Sequence, residues 1–273
     1  MISTQNLTYG YSKKELLFKD LNFTQSAGSI IGLLGKNGAG KSTLLKLISG
    51  LLYVKDEQIK VNGYIPHKRD PDFLSDIFFV NDTPFLPSLT IKTYLQIYGA
   101  LYKSFDIEKM YKILLEFELQ EDQNLKKLSH GQQKKFIIAF ALSTNCKLLM
   151  LDEPTNGLDI PSKSVFRKVL VNSVEDDQLV IISTHQVKDV ETLIDKIIVV
   201  ENGSIVFNED VYRITEKLQF KILNHLDDIS GIIYSEKSPM GYKVILPVNN
   251  DEETEMDIEL MFNAICNKTE INL

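Results

Sequence analysis

The chain of 273 residues is 44% hydrophobic and 25% charged, the balance of a globular protein with enough apolar material for a large core, so disorder is not expected. Its net charge of −7 is uneven: residues 1–207 hold 24 acidic and 24 basic side chains, residues 208–273 hold 13 and 6. A neutral body with an acidic end lacks the basic face that displaces counterions, which argues against a dedicated nucleic-acid binder.

The two cysteines, Cys146 and Cys266, suit a reducing compartment and give no disulfide framework. The histidines 67, 130, 185 and 225 are scattered, without metal-ligand spacing. Met1–Glu15 has no apolar signal core, and no stretch reaches the ~18 apolar residues of a membrane-spanning helix.

In chain order, Gln5–Thr8 and Leu21–Gln25 read as strands. Ser29–Leu34 is a short apolar run that fits a buried strand of a mainly parallel sheet. A glycine-rich turn follows, then a helix over Lys41–Ser49, the first half of a βαβ unit. Residues 56–67 read as two short strands around Asn62-Gly63. From Thr90 to Gln120 apolar residues recur at three and four (Ile91, Tyr94, Leu95, Tyr98; Met110, Ile113, Leu114, Phe117), which predicts helices. The aromatic residues Tyr94, Tyr98, Tyr102 and Phe105 read as core rather than contact surface. A helix over Gly131–Ser143 leads to a strand over Lys147–Leu151. A helix over Pro161–Asn172 leads to a strand over Leu179–Ser183, and Lys196–Glu201 with the Gly203 turn closes the unit. This alternation predicts an α/β fold. The last 66 residues, 208–273, predict a helix over Glu209–Leu226, a hairpin over Ile232–Val248, an acidic loop and a helix over Asp257–Cys266.

Gly35-Lys36-Asn37-Gly38-Ala39-Gly40-Lys41-Ser42 fits the phosphate-loop pattern, with Thr43 next. The glycines let the backbone curl its N–H groups toward phosphate oxygens, and the following helix turns its positive end to the same anion. Lys41 is placed to reach the β- and γ-phosphates, Ser42 to ligate Mg²⁺. Leu148–Glu153 is an apolar strand ending in two carboxylates, and a strand end beside the phosphate loop is where an open α/β sheet places its ligand. Asp152 is expected to hold Mg²⁺ and Glu153 to polarise the attacking water. Ser129, Gly131 and Gln132 open a helix and suit phosphate binding from a second direction.

In this order these segments resemble the ABC (ATP-binding cassette) ATPase family over about residues 1–207. Gly35–Ser42 looks like Walker A. Ser129, Gly131 and Gln132 look like the LSGGQ signature, with His130 in place of a glycine. Asp152 and Glu153 look like Walker B and its catalytic glutamate, Gly157-Leu158-Asp159 like the D-loop, and His185 like the switch histidine. Tyr11 lies where the family stacks an aromatic on adenine, Tyr9 being the lesser candidate. At the family's Mg²⁺-sensing Gln this chain aligns Asn81, one methylene shorter, so its metal contact is expected through water.

The resemblance implies a P-loop NTPase cassette: a mainly parallel core sheet, an N-terminal antiparallel β subdomain, a helical insert at about 82–130 and a small α+β appendage over 208–273. It also implies ATP and Mg²⁺, with Lys41, Glu153 and His185 catalytic. A head-to-tail homodimer would sandwich each ATP between residues 35–43 of one copy and 129–132 of the other. Integral membrane permease subunits would be the other partners, with the chain cytoplasmic at the inner face of the membrane and export the favoured direction. A soluble ABC ATPase driving a non-transport machine, such as iron–sulfur assembly, is the alternative.

Overall fold

The computed structural model describes residues 1–273 apart from 13, 56, 227–230 and 249–253. Alternating apolar residues near the N-terminus form β1 (Ile2–Tyr9) and β2 (Phe18–Gln25), paired antiparallel with Leu7, Phe18 and Leu21 turned inward. β3 (Ser29–Leu34) runs through the phosphate-loop segment into α1 (Lys41–Ile48). β4 (Ile59–Val61) then returns to the free edge of β1.

The expected pair of strands around Asn62-Gly63 is only half found. Both residues adopt positive φ (50° and 83°) and reverse the chain, but just one bridge, Val61 to Tyr64, follows. Pro66, which has no N–H for a ladder, starts a short 3₁₀ turn instead. Two elements without a sequence forecast come next: α2 (Pro71–Ser75), capped by Asp70, and β5 (Ile77–Val80). The insert contains α3 (Ile91–Tyr98) and α4 (Ile107–Glu116), N-capped by Thr90 and Asp106.

α5 (His130–Ser143), β6 (Leu148–Asp152), α6 (Ile160–Ser173), β7 (Leu179–Thr184), β8 (Lys196–Glu201) and β9 (Ser204–Asp210) complete the cassette. The central sheet runs β5-β6-β7-β3-β8-β9, parallel except for β9. β8 and β9 are joined by a tight turn with Asn202 at φ 47° and Gly203 at φ 74°, the left-handed pair that matches strand twist. A Cβ on Gly203 would fall on the Leu17 carbonyl oxygen, so the turn also requires the absence of a side chain.

Strand periodicity divides the core into two layers. Leu149 and Leu151 of β6 with Val180 and Ile182 of β7 face the insert, α5 and α6; Leu148, Met150, Leu179 and Ile181 face α1 and the antiparallel sheet. In the first layer Phe140 is buried among Phe78, Tyr94, Tyr102 and Phe105, with ring centroids 5.1–5.9 Å away. These aromatics are core, as the sequence suggested. Phe140→Ala is expected to destabilise the fold by about 3–5 kcal/mol, measured as a lowered urea midpoint.

The single helix expected over Glu209–Leu226 is not formed. β9 continues to Asp210, across the expected boundary at 207/208, because it pairs with β8 from Glu201↔Ser204 to Lys196↔Asp210. α7 (Val211–Lys217) is short, and β10 (Leu218–Leu223) follows. The run Leu218-Gln219-Phe220-Lys221-Ile222 alternates apolar and polar residues, a strand pattern, and pairs with a later strand. The hairpin is found as β11 (Tyr234–Ser238) and β12 (Gly241–Pro247), giving a sheet ordered β10-β12-β11. The acidic loop lies largely outside the described residues. α8 (Ile258–Cys266), capped by Asp257, buries Ile258, Met261 and Ala264 in the same core layer as α5 and α6. It also rests on the segment after His185: Lys188 pairs with Glu259 at 2.7 Å, and Glu191 accepts the Ile258 N–H at 2.8 Å.

Candidate nucleotide site

The segment between β3 and α1 is wound by glycines in left-handed conformations, Gly38 at φ 83° and Gly40 at φ 109°. A Cβ on Gly40 would come 2.9 Å from the Phe18 ring, so both φ and space demand glycine there. No side chain caps α1, which leaves the N–H groups of its first turn to an incoming anion. The buried Lys41 ammonium donates to the carbonyls of Gly35 (2.7 Å) and Lys36 (3.3 Å). Desolvation lowers its pKa, and the nearby carboxylates of Glu153 and Asp152 act in the opposite sense.

The strand order brings the other groups in. β6, β7 and β3 are neighbours, so their carboxyl-terminal ends converge on the same cleft. Asp152 is buried at the end of β6 and accepts hydrogen bonds from Ser42 Oγ (3.0 Å) and from Ser183 Oγ. Glu153 adopts φ 46°, an uncommon conformation for a side-chain-bearing residue. Its Oε1 lies 2.8 Å from His185 Nδ1, and its Oε2 accepts from Thr184 Oγ1 at 3.2 Å. Tyr11 is 69% exposed at the rim, its hydroxyl 2.9 Å from Thr43 Oγ1, with the Tyr9 ring packed edge-on 5.4 Å behind it. The cavity bounded by the loop, Tyr11, Glu153 and His185 measures about 650 Å³, within the range of small-molecule sites; Gly35, Lys36 and the buried Asp152 do not line it.

Asn37, Gly38, Ala39, Gly40, Lys41, Ser42, Thr43, Tyr11, Glu153 and His185 all line this cavity. Asn81 does not: it is exposed, and the neighbouring Asp82 lines the cleft instead. Asp82 is held there because its Oδ1 accepts from Lys134 Nζ (3.1 Å) and Asn156 Nδ2 (3.2 Å). The aligned position and the cleft-lining position therefore differ by one residue. Sequence reasoning also passed over Lys134: in Gln133-Lys134-Lys135 it looks like an ordinary polar residue before the apolar run that begins at Phe136, and only the fold shows that it is buried.

Ser129, Gly131, Gln132 and Asp159 lie outside this cavity within one chain. Ser129 and Gln132 form a reciprocal cap at the start of α5: Ser129 Oγ accepts the Gln132 N–H (3.2 Å) and Gln132 Oε1 accepts the Ser129 N–H (3.0 Å). A Cβ on Gly131 would stand 3.0 Å from the Gly157 carbonyl oxygen, and one on Gly157 2.9 Å from His130 Nδ1. His130 thus packs on the turn before α6, whose N-cap Asp159 accepts the Ser162 N–H at 3.0 Å.

Residues 18–156 match the family described as ABC transporter. The chain is 27% identical over 282 residues to the ABC transporter ATP-binding protein YtrB of Bacillus subtilis (strain 168), covering 100% of this chain and 95% of that protein. It is 31% identical to the SkfA peptide export ATP-binding protein SkfE of the same organism, covering 78% of this chain and 89% of that one. A solved ATP binding subunit of an ABC transporter has the same fold, with a TM-score of 0.69 over 78% of this chain and 91% of that chain at 24% identity. Among the described residues no helix is long and apolar enough to cross a membrane. With a phosphate loop facing paired carboxylates on a mostly parallel sheet, the family match over residues 18–156 and a relative matched along its whole length, the chain belongs to the ABC transporter family and is an ABC ATPase.

Proposed function

We propose that this chain hydrolyses ATP to drive a transporter whose membrane-spanning part is carried by separate permease chains, with export the favoured direction. The observation that carries the reading is the convergence of Ser42, Asp152, Glu153 and His185 at the ends of three adjacent strands.

Each group has a task that follows from its setting. The phosphate loop and the first turn of α1 bind the phosphates through backbone N–H groups, and Lys41 neutralises charge on them. Ser42 Oγ and Asp152 Oδ1 form a hard-oxygen pair that fits Mg²⁺, and they would hold it. When bound, that ion would offset the charge that develops on the phosphate oxygens. Glu153 orients and polarises the attacking water, and His185 holds the Glu153 carboxylate and the γ-phosphate in register. Tyr11, tethered through Thr43, offers an exposed ring to adenine. Removal of divalent ions with EDTA is expected to abolish turnover, and excess Mg²⁺ to restore it in a phosphate-release assay.

Ser129, Gly131, Gln132 and Asp159 are assigned to the second half of a site formed with a head-to-tail partner copy. Ser129→Arg, which puts a long cation at that surface, is expected to prevent ATP-dependent dimerisation of the Glu153→Gln variant while leaving ATP binding by one chain unchanged. Calorimetry and gel filtration read the two effects separately.

A permease partner is supported by the likeness to YtrB, an ABC transporter ATP-binding protein, and to SkfE, a peptide export ATP-binding protein. Exposed apolar side chains on the insert support it too: Phe85 is 94% exposed, Leu101 63% and Ile97 52%. The chain would then sit in the cytoplasm against the inner face of the membrane. Co-expression with neighbouring genes and pull-down is expected to yield a stoichiometric polytopic partner. Exclusively soluble partners would overturn the transport reading.

A further inference from the structure

Lys134, the fifth residue of α5, is charged and completely buried, with no side-chain exposure. A buried ammonium is costly unless every proton is satisfied. Here its three protons have three acceptors: the Asp82 carbonyl (2.5 Å), Asp82 Oδ1 (3.1 Å) and the Glu153 carbonyl (2.9 Å). Asn156 closes the cluster, donating its backbone N–H to the Glu153 carbonyl (3.2 Å) and its side-chain amide to Asp82 Oδ1 (3.2 Å).

The cluster joins three pieces of chain that have different duties. α5 begins with the Ser129–Gln132 cap, Asp82 follows β5 at the entrance to the insert, and Glu153 is the residue with φ 46° whose carboxylate meets His185 and Thr184. An apolar residue would fill the same space without a desolvation cost. A cation there does something an apolar residue cannot: it fixes a carbonyl of the strained turn to the helix that carries the second half-site.

We propose that Lys134 is a positioning residue for hydrolysis, which ties the Glu153 turn and Asp82 to α5 and so sets the direction of the Glu153 carboxylate. The proposal rests on the reading of this cleft as an ATPase site. It makes the orientation of Glu153 depend on the placement of α5, so a shift of that helix on pairing or on permease contact reaches the water-activating group through one side chain.

The test is a double-mutant cycle between Lys134→Met and Glu153→Gln, with thermal melting, ATP affinity and single-turnover hydrolysis measured for each protein. Lys134→Met alone is expected to hold ATP affinity within about threefold and to lose roughly 10²-fold in kcat, the cost of a misplaced catalytic group. In the Glu153→Gln background the same change is expected to alter the residual rate less than threefold, because the group it positions is already gone. Equal losses in both backgrounds, or a kcat near wild type, would overturn the proposal. If Lys134→Met does not melt cooperatively, Lys134→Gln, neutral but still a donor, carries the cycle. Loss of folding in both assigns Lys134 to stability alone and overturns the proposal. A wild-type protein without Mg²⁺-dependent turnover would sink the ATPase reading itself, a different result from an active protein with an additive cycle.

Discussion

Glu153→Gln is expected to lower ATP turnover by roughly 10²–10⁴-fold, the usual contribution of a positioned general base, with little loss of ATP affinity. The reason is geometric. Glutamine keeps the length of the side chain and one oxygen to accept from Thr184 or His185, which lie 3.2 Å and 2.8 Å from the carboxylate. The turn, with its carbonyl bound by Lys134, is therefore left in place. What is removed is the negative charge that draws a proton from the attacking water. A protein that binds but does not hydrolyse stays in its ATP-bound form, so gel filtration with ATP is expected to show a stable dimer where the wild type shows a transient one. Wild-type turnover in this variant would remove Glu153 from the mechanism.

Lys41→Ala is expected to fail at the opposite stage. Its ammonium is buried beneath the loop, donates to the Gly35 and Lys36 carbonyls, and has the Asp152 and Glu153 carboxylates nearby. Deleting it removes the protein's own cation from between those carboxylates and an anionic ligand. Loss of one such electrostatic stabiliser costs roughly 10²–10³-fold in turnover. Part of this loss is expected in affinity, so that calorimetry shows ATP binding at least about tenfold weaker, about 1.4 kcal/mol or more. The pair of variants thus separates binding from chemistry: one traps the nucleotide, the other fails to hold it. Unchanged affinity in Lys41→Ala would place the phosphates elsewhere.

The parts of this molecule that were legible in the sequence are those whose chemistry is local. Ser29–Leu34, the glycine turn and Lys41 announce strand, loop and helix within twenty residues, and the structure keeps that order. Lys147–Leu151 reads as a strand because it is almost wholly apolar, and every residue of β6 is buried. Partnerships made across the chain were not legible. Asp82 and Lys134 are 52 residues apart, and only the fold puts one against the other. The one-residue offset between Asn81 and Asp82 arises the same way, since a side chain of either residue would look equally suitable until the direction of the chain leaving β5 is known. The appendage was misread where a short period-two run, Leu218–Leu223, follows a helix directly: its alternation is a strand signal, and pairing with β12 makes it a strand.

The strand order has a consequence for synthesis. β3 begins at Ser29, yet its two neighbours in the sheet begin at Leu179 and Lys196. A ribosome adding about 5–20 residues per second needs roughly 8–30 s to make the first of them. Throughout that interval the apolar strand that carries the phosphate loop has neither edge covered, and the nascent chain resembles an aggregation-prone intermediate more than a half-built enzyme. Nucleotide therefore cannot serve as an early template for folding: the loop that grips it is made among the first residues and becomes a binding site among the last.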